Sequence, residues 1–460
     1  MTPARIAPWI FLLLAALALR GAALGVLGAE LRRDPDSYRL PAQTLVAAGV
    51  YAPDELASQA AGRPIPGAYR PPLYPLLLAG MGAVSPETSW RTGLAQVALG
   101  VATVGLTFAL ARRWGLSRWS WLAAGLIAAD PLLLSLSAQI MTETLAAFLV
   151  IATLLAVDHA LTPSRPDQPS PAVRATLGWS VAAGALGGLA VLCRPTFLPW
   201  ALGLPLIISL ASSLRLNEGG VRGQRFAPAL ACLAAFSLVL APWGIRNARA
   251  LGNPLLTTTH GGYTFYLANN RELFAYQRGD SAVAWNAADF NARWRAARAA
   301  ALGPGPWPQG TELAADRLAY QRARQEIAAD PSGFARATCL RLTRLWGAMP
   351  ERLEVDEPPR RRAERWAIAA WYGVVLALAA LGLWVSPRCA AGSPDDGRAG
   401  WVRLAPLLWL LASVTALHAL YWTNLRMRAP LMPGVALLAA AGASQLARWK
   451  WRWRSGLRGN

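Results

Sequence analysis

Long apolar runs separated by short polar connections form the dominant pattern of this sequence. A run of about 20 mostly apolar residues is long enough for an α-helix to cross a bilayer. Such runs lie at 8–28, 91–111, 119–136, 141–157, 177–193, 196–213, 227–245, 366–386, 402–420 and 430–447. The pattern predicts an all-α polytopic membrane protein with about ten transmembrane helices.

Two apolar runs need separate treatment. The run at 72–84 is too short to span and predicts a re-entrant or interfacial helix. The first run resembles a signal peptide, but its length and the spans that follow it favour a retained transmembrane helix.

The distribution of arginine and lysine predicts an orientation. Cytoplasmic connections of membrane proteins are enriched in these residues. The basic connections are 112–118, 162–174, 215–225, 386–398 and the tail after 447. We therefore expect both termini in the cytoplasm, anionic lipid headgroups beside the tail, and a location in the cytoplasmic (inner) membrane.

The same orientation divides the chain into three parts. Residues 1–245 form an N-terminal transmembrane bundle that includes a long first outer loop, 29–71. Residues 246–365 form a small, mostly helical domain on the outer face, with a helix break at Asp330 because a residue before proline avoids the helical region. Residues 366–460 carry the last transmembrane helices and the basic tail.

Composition supports the membrane class and excludes several others. The chain is 54% hydrophobic and only 15% charged, whereas soluble domains are about 25% charged. The net charge of +20 falls mainly in short loops, without the aromatic-interleaved basic patch of a nucleic-acid-binding domain. Four scattered cysteines and three histidines indicate neither a disulfide framework nor a histidine-rich metal site.

The first outer loop carries the first candidate chemistry, in the sequence DPDSY at 34–38. If a helix begins at Pro35, Asp34 caps it by accepting free backbone N–H groups. Asp36 and Tyr38 follow at alternate positions. Capping alone explains a single Asp before Pro, so a functional reading depends on what lies nearby.

Several further polar residues fall on the predicted outer side. Ionisable groups at membrane depth usually face a cavity or the bundle interior. Singly, each is explained by capping or by snorkelling to the interface. Arg20 in the first span is either another member of the set or a residue that snorkels outward. Together the residues of the set predict a phosphate-binding cavity, which suits the planar fork of arginine. They are Glu143, Arg194, Arg246, Asn247, Arg426 and Arg428.

The stretch HGGYTFYLANN, at 260–270, offers sugar-binding groups. Its glycines permit a turn and a close backbone approach, and Tyr263, Tyr266 and Asn270 are able to stack on or hydrogen-bond a sugar. The alternative is a folded connector that packs on the membrane face.

The sequence resembles the GT-C superfamily of integral-membrane glycosyltransferases, and most closely the bacterial branch related to protein mannosyltransferases and aminoarabinose transferases. The co-linear set of motifs carries the resemblance. It comprises DPDSY, YRPPLYPLLLAG, MTETL, CRPTFLP, RNARALGNPLLTTTHGGYTFYLANN, DPSGFARATCLRLTRLW and NLRMRAPLMP.

The resemblance implies inverting transfer of a sugar from a polyprenyl-phosphate-linked donor to a lipid, glycan or protein acceptor on the outer face. It identifies Asp34 as the catalytic base. Asp36 is the second catalytic candidate. Relatives commonly have Asp-Glu where this chain has Asp34-Pro35, and this departure leaves open whether Asp36 takes over a metal-binding or an orienting role. The candidate substrate-binding residues are Tyr38, Arg70, Glu143, Arg194, Arg246, Asn247, His260, Tyr263, Arg426 and Arg428.

Other functions stay open at this point. A transporter or flippase of a lipid-linked or anionic substrate would also have many spans and buried charges, although charges gathered at one interface favour an enzyme. An assembly protein that keeps the fold without catalysis would tolerate loss of Asp34. The sequence leaves metal dependence open, and carboxylate ligands would favour Mg²⁺ or Mn²⁺.

Overall fold

The protein is described here from a computed structural model that covers residues 3–53, 58, 61–162, 169–215, 226–280, 285–303, 311–351, 357–389 and 397–456. Every regular element within these ranges is an α-helix or a 3₁₀ helix, and they contain no strand. The predicted all-α fold is confirmed.

The first half of the chain contributes ten α-helices. They are α1 (Pro3–Leu27), α2 (Arg39–Ala48), α3 (Leu73–Gly80), α4 (Trp90–Arg113), α5 (Trp119–Ala128), α6 (Pro131–Leu136), α7 (Glu143–Leu161), α8 (Pro169–Cys193), α9 (Leu198–Arg215) and α10 (Ala227–Leu251).

Eight further helices complete the described chain. Five short or amphipathic ones follow α10: α11 (Gly261–Ala268), α12 (Arg271–Arg278), α13 (Ala287–Leu302), α14 (Thr311–Ala329) and α15 (Pro331–Trp346). Three long ones come last: α16 (Pro359–Cys389), α17 (Gly397–Leu420) and α18 (Met432–Gly456).

Nine helices in the described ranges are long and apolar enough to cross a bilayer, namely α1, α4, α7, α8, α9, α10, α16, α17 and α18. The chain is therefore a multi-pass integral membrane protein. The spans that contain α18 and α7 lie at the centre of the bundle, with 89% and 83% of their apolar windows buried, against 17% for α1. The predicted short helix near 72–84 is present as α3.

The predicted span at 119–136 is broken, so the expectation of a continuous helix there is wrong. Asp130 has an extended backbone (φ −61°, ψ 117°) because it precedes Pro131. Its carboxylate caps α6 by accepting the N–H of Leu133 at 2.9 Å. Arg20 from α1 donates to the carbonyls of Ile127, at 3.3 Å, and Leu133, at 3.4 Å. Arg20, predicted either to join the phosphate-binding set or to snorkel outward, points into this break and is 1% exposed.

Glycines bring α16 and α18 into close contact. A Cβ at Gly382 would collide with the backbone carbonyl of Leu438, and one at Gly442 with that of Leu378. Small residues at such positions let helix backbones approach each other within a membrane. The contact fixes the position of α18, and with it the polar segment that precedes this helix.

The segment predicted to lie on the outer face is helical as predicted, and the break at Asp330 is confirmed between α14 and α15. The boundaries predicted between the three parts, at 245 and 365, fall inside the continuous helices α10 and α16. The division into three parts stays a prediction. Four of the basic residues used to predict orientation, Arg165, Arg222, Arg225 and Arg458, lie outside the described residues.

Candidate active site

The DPDSY segment forms a tight turn. The carbonyl of Asp34 accepts the N–H of Ser37 at 3.1 Å, and Ser37 has a positive φ of 55°. Pro35 occupies the second position of this turn, where its fixed φ is favourable. The expectation that a helix begins at Pro35 is therefore wrong.

Asp34 nevertheless caps the helix that follows. Helix α2 begins at Arg39. The Asp34 carboxylate accepts the N–H of Tyr38 at 2.9 Å with one oxygen and that of Arg39 at 2.7 Å with the other. These bonds fix the carboxylate relative to α2. The turn also directs the next acidic side chain, Asp36, away from the cap.

Asp36 joins an ion-pair cluster with Arg426, Glu143 and Arg194. The Oδ2 atom of Asp36 lies 2.8 Å from Nη2 of Arg426. The Oε1 atom of Glu143 lies 2.8 Å from Nη1 of Arg194 and 3.5 Å from Nε of Arg426. Glu143 is 1% exposed, while the side chains of Asp36 and Arg426 are about one-quarter exposed. Four of the predicted residues thus meet at one end of the bundle.

Each cluster residue stands where a helix is interrupted. Glu143 is the first residue of α7. Arg194 has an extended backbone after α8 because Pro195 follows it. Arg426 lies in a 3₁₀ segment, Leu425–Leu431, between α17 and α18. Helix ends of this kind let charged side chains converge without a polar residue inside an apolar helix.

A row of aromatic rings leads away from this cluster. Tyr38 packs edge-on against Tyr74, with ring centroids 5.2 Å apart. The guanidinium of Arg70 lies 5.4 Å from the ring centroid of Tyr38 and 5.3 Å from that of Tyr69. We name the residues Tyr38, Arg70, Tyr69, His260 and Tyr263 the aromatic row.

The far end of the aromatic row lies at the start of α11. Tyr69 contacts His260 with ring centroids 4.3 Å apart, and His260 stacks on Tyr263 at 5.2 Å. The hydroxyl of Tyr263 donates to Asn291 at 2.6 Å. The predicted residues His260 and Tyr263 are therefore joined to Tyr38 through Arg70.

Burial sets the protonation states along the row. Burial raises the pKa of Tyr38 to about 12, so its hydroxyl stays protonated at neutral pH. Burial, with the nearby Arg70 charge, lowers the pKa of His260 well below its usual range. His260 is therefore neutral at physiological pH. The row presents polarised hydroxyl and imidazole groups with one fixed positive charge, Arg70.

The glycines before Tyr263 lie inside α11, so the turn predicted for this stretch is absent, whereas the predicted close approach is confirmed. A Cβ at Gly261 would collide with the hydroxyl of Tyr320, and one at Gly262 with the backbone carbonyl of Asp316. Helix α11 therefore packs directly on α14.

Two predicted substrate residues bind the protein backbone instead. Arg246 donates to the carbonyls of Gly67, at 2.7 Å, and Tyr51, at 2.9 Å. Asn247 is fully buried and donates to the carbonyl of Leu255 at 2.7 Å. Both residues hold the first outer loop and the segment after α10 in place, apart from the ion-pair cluster.

Arg428 also faces away from the cluster. It is fully buried, and its Nη1 atom donates to the carbonyls of Leu345 and Gly347 at the end of α15. Its guanidinium carbon lies 4.1 Å from the ring centroid of Tyr372. The structure therefore separates Arg428 from Arg426, although only one residue lies between them.

Helix α14 supplies two carboxylates that the sequence did not single out. Glu312 accepts the N–H of Ala68 at 2.9 Å and the hydroxyl of Thr259. Asp316 accepts the N–H of Gly262 at 2.7 Å. Both carboxylates hold α14 against the two segments that carry the aromatic row, one around Ala68 and the other around Gly262. An acidic residue in the first turns of a helix is too common to have indicated these contacts.

Asp316 makes the stability of this region sensitive to pH. Burial raises the pKa of Asp316 to about 6, against about 3.9 in an unfolded chain. Between these values the folded state holds the extra proton, so we expect stability to fall as pH rises from about 4 to about 6. A difference of about two pKa units at about 1.4 kcal/mol each corresponds to about 3 kcal/mol. Partial exposure of Asp316 to solvent reduces the expected loss to on the order of 2 kcal/mol.

Asp316→Asn tests this dependence, because asparagine still accepts the Gly262 N–H but does not ionise. We expect the midpoint of thermal unfolding to vary less between acidic and neutral pH in the variant than in the wild type. Equal pH dependence of the two proteins would contradict the assignment.

The acidic residues of the site are not arranged as ligands of a divalent ion. Within the described ranges no three His, Cys, Asp or Glu side chains lie close enough together to hold a metal ion. Asp36 and Glu143 are each engaged with arginine instead. These residues do not fit a resident Mg²⁺ or Mn²⁺ ion, and metal dependence stays open.

Comparison with protein families identifies one segment. Residues 69–243, less than half of the chain, match the model of the dolichyl-phosphate-mannose-protein mannosyltransferase family. This segment includes Arg70, Glu143 and Arg194. The predicted GT-C resemblance is thereby confirmed. No match was found among curated protein sequences.

Solved structures give distant likenesses to the whole chain. The crystal structure of ArnT from Cupriavidus metallidurans in the apo state is 17% identical, with 96% of this chain and 78% of that one covered and a TM-score of 0.41. The same protein bound to undecaprenyl phosphate gives a TM-score of 0.40 at 17% identity and the same coverage. The archaeal oligosaccharyltransferase AglB from Archaeoglobus fulgidus, in complex with an inhibitory peptide and a dolichol-phosphate, is 16% identical, with 97% and 52% covered and a TM-score of 0.42.

Proposed function

We propose that this chain, a membrane glycosyltransferase of the GT-C type, transfers a sugar from a polyprenyl-phosphate-linked donor to an acceptor at the outer face of the cytoplasmic membrane. The family match over 69–243 supports the reaction class, and a lipid phosphate is among the ligands named for ArnT and AglB. The observation that carries the proposal is the ion-pair cluster. It places two arginines beside the DPDSY turn at one end of the bundle.

The two arginines suit the phosphate of such a donor. Arg194 and Arg426 each present a planar fork of N–H groups, which binds phosphate oxygens in pairs. In a partly buried site their interaction with an anion is much stronger than in water. Asp36 and Glu143 neutralise them in the structure described here. A donor phosphate would share or replace the Asp36 contact, which is the more exposed of the two.

Asp34 is the proposed base. Each of its oxygens accepts one backbone N–H, which leaves a further lone pair on each oxygen for a hydroxyl proton. Within the described residues Asp34 forms no ion pair, whereas Asp36 has Oδ2 engaged by Arg426. We therefore assign proton removal from the acceptor to Asp34 and orientation of Arg426 to Asp36.

Inverting transfer requires little beyond these groups. The acceptor hydroxyl attacks the anomeric carbon while the bond to the phosphate oxygen breaks, and the base takes the hydroxyl proton. The leaving phosphate carries the charge that develops, and fixed cations stabilise it. A second, acidic carboxylate of the kind that glycosidases use is unnecessary for such a leaving group.

The aromatic row is the proposed surface for the donor sugar or the acceptor. It begins at Tyr38, four residues after Asp34, and continues to Tyr263 on the outer helices. Aromatic faces and neutral hydrogen-bonding groups suit the mixed apolar and hydroxylated faces of a sugar. The acceptor class, whether lipid, glycan or protein, is left to experiment.

A transfer assay with detergent-solubilised protein tests the proposal. A detergent micelle does not separate two aqueous compartments, so a flippase has no measurable activity in it. A transferase in the same micelle still forms product from a polyprenyl-phosphate sugar and a crude acceptor extract. The donors to be tried are those that accumulate in lipid extracts when the protein is removed from its host. Product formation that requires Asp34 supports the proposal. Accumulation of a lipid-linked sugar without any transfer in detergent would favour a flippase instead.

A further inference from the structure

The 3₁₀ segment Leu425–Leu431 sends neighbouring side chains in different directions. A 3₁₀ helix has about three residues per turn, so successive side chains lie about 120° apart. Arg426 faces Asp36 and Glu143. The Met427 sulfur accepts an N–H of Arg194 at 2.8 Å. Arg428 is left to face the bundle interior.

Arg428 is anchored there by two kinds of contact. Its Nη1 atom donates to two carbonyls at the end of α15, those of Leu345 and Gly347. The central carbon of its guanidinium group lies over the Tyr372 ring, 4.1 Å from the ring centroid. A desolvated cation over the face of an aromatic ring is attracted by the negative charge of that face, so this contact is stabilising.

The contact continues to the broken span. The hydroxyl of Tyr372 donates to Oδ1 of Asp130 at 2.8 Å, and the same oxygen caps α6. Tyr372 and Arg428 are fully buried, and Asp130 is 1% exposed. Arg428, Tyr372 and Asp130 therefore form one buried network. It ties the 3₁₀ segment to α16 and to the interruption between α5 and α6.

A second buried charge cluster provides a comparison. Asp158 is paired with Arg113 and with Arg403, each at 2.6 Å, near the last turn of α7. Glu143 is at the first turn of the same helix, about 22 Å away at 1.5 Å per residue. The Asp158 cluster is thus a buried ionic clamp, and among the described residues no ion pair or hydrogen bond joins it to the 3₁₀ segment Leu425–Leu431.

We propose that Arg428, Tyr372 and Asp130 are positioning residues that fix the Arg426 fork against Asp36 and Glu143. The role assigned to Arg426 in binding donor phosphate rests on the proposed function. The positioning itself does not. Arg428 and Arg426 share one short turn, so a rotation that releases Arg428 from Tyr372 also moves the Arg426 fork out of the cluster. Misplacement of a charged group by about 1 Å is enough to lose much of its effect on a bound substrate.

Hydrogen exchange tests the positioning without any substrate. Arg428→Lys keeps the charge but lacks the planar fork that binds two carbonyls while covering a ring. Tyr372→Phe keeps the ring and removes the hydroxyl, which donates to Asp130 at 2.8 Å and accepts the N–H of Leu132 at 3.3 Å. We expect both variants to accelerate amide exchange in the peptide 424–431 of the full-length protein in nanodiscs, and Asp158→Asn to leave this peptide unchanged. Unchanged exchange in Arg428→Lys, or equal acceleration by Asp158→Asn, would overturn the proposal.

Binding of undecaprenyl phosphate to the same nanodiscs tests whether Arg428 acts through Arg426. We expect Arg428→Lys to weaken binding about tenfold in the wild-type background and less than about twofold in an Arg426→Lys background, because residues that act as one unit are not additive. The same weakening factor in both backgrounds would show a general structural role and refute the positioning. If undecaprenyl phosphate does not bind the wild type, the proposed donor is wrong, and the exchange measurement alone decides the positioning.

Discussion

Asp34→Asn is expected to lower kcat for sugar transfer by about 10² to 10⁴, the range supplied by a positioned general base. Asparagine is nearly the same size as aspartate but does not take up the acceptor proton. Since the arginines that face the phosphate are unchanged, we expect KM for the lipid-linked donor to stay within about threefold of the wild type, the pattern of an interaction lost only in the transition state. Initial rates at saturating donor, with purified protein in detergent, measure both constants.

The capping role of Asp34 must be separated from its chemistry. Asparagine accepts only one of the two backbone N–H groups now bound by Asp34, so the variant loses about 1 kcal/mol of stability. The midpoint of thermal unfolding, followed by tryptophan fluorescence, reports this loss independently of rate. A variant that is folded at the assay temperature and still inactive has lost the base.

Asp36→Asn is the matched control for Asp34→Asn. It removes the ion pair with Arg426 and leaves the cap intact, so we expect it to change donor KM more than kcat. Full activity of Asp34→Asn would refute the base assignment. If Asp36→Asn abolishes kcat while Asp34→Asn does not, the two carboxylates have exchanged roles.

The overall fold was accessible from the sequence because its signal is local. A run of apolar residues such as 91–111 predicts a span without reference to any other part of the chain, and helix α4 fills that run. Proline-directed breaks are equally local. Asp330 was predicted to divide two helices, whereas the same Asp-Pro signal at Asp130 was missed because the apolar residues on both sides read as one run.

The site was only partly accessible because its contacts are long-range. The sequence placed Glu143, Arg194 and Arg426 on one side of the membrane, and the structure brings all three together. It could not distinguish Arg426 from Arg428, since their directions depend on the 3₁₀ geometry of the segment between two helices. Arg246 was equally indistinguishable, because its partners are backbone carbonyls of the first outer loop, more than 170 residues earlier.

The same limit applies to Asp34 and Asp36. Their spacing suggested one acidic cluster, but the turn at Pro35 gives the two carboxylates different partners. Asp34 accepts N–H groups at the start of α2, the helix that follows it. Asp36 binds Arg426, which lies 390 residues later in the chain. No local pattern in the sequence encodes that second contact. A family resemblance supplies the order of the motifs, whereas the division of roles follows from the contacts.

Arg426→Ala is expected to lower kcat/KM for the lipid-linked donor by about 10² to 10³, the effect typical of removing one preorganised group that stabilises developing charge. Arg426 is the residue that both carboxylates of the cluster share, at 2.8 Å from Asp36 and 3.5 Å from Glu143. Its loss leaves the leaving phosphate with Arg194 alone and leaves Asp36 without its partner. Arg426→Lys keeps the charge without the planar fork, so we expect only partial recovery, still about tenfold below the wild type.

Arg403→Lys provides the control for Arg426→Lys. Arg403 also binds a buried carboxylate through its fork, with Nε and Nη2 at 2.6 and 3.1 Å from Asp158, but in the cluster at the opposite end of α7. An arginine-to-lysine change there should alter thermal stability and leave kcat/KM within about threefold of the wild type, as expected for a site distant from the chemistry. Equal loss of kcat/KM in the two lysine variants would mean that damage to the bundle, and not the Arg426 fork, explains the result. Loss of kcat/KM in Arg426→Lys alone would identify this fork as part of the phosphate site. Both variants replace an arginine that pairs with a carboxylate of α7, Glu143 at its first turn or Asp158 near its last.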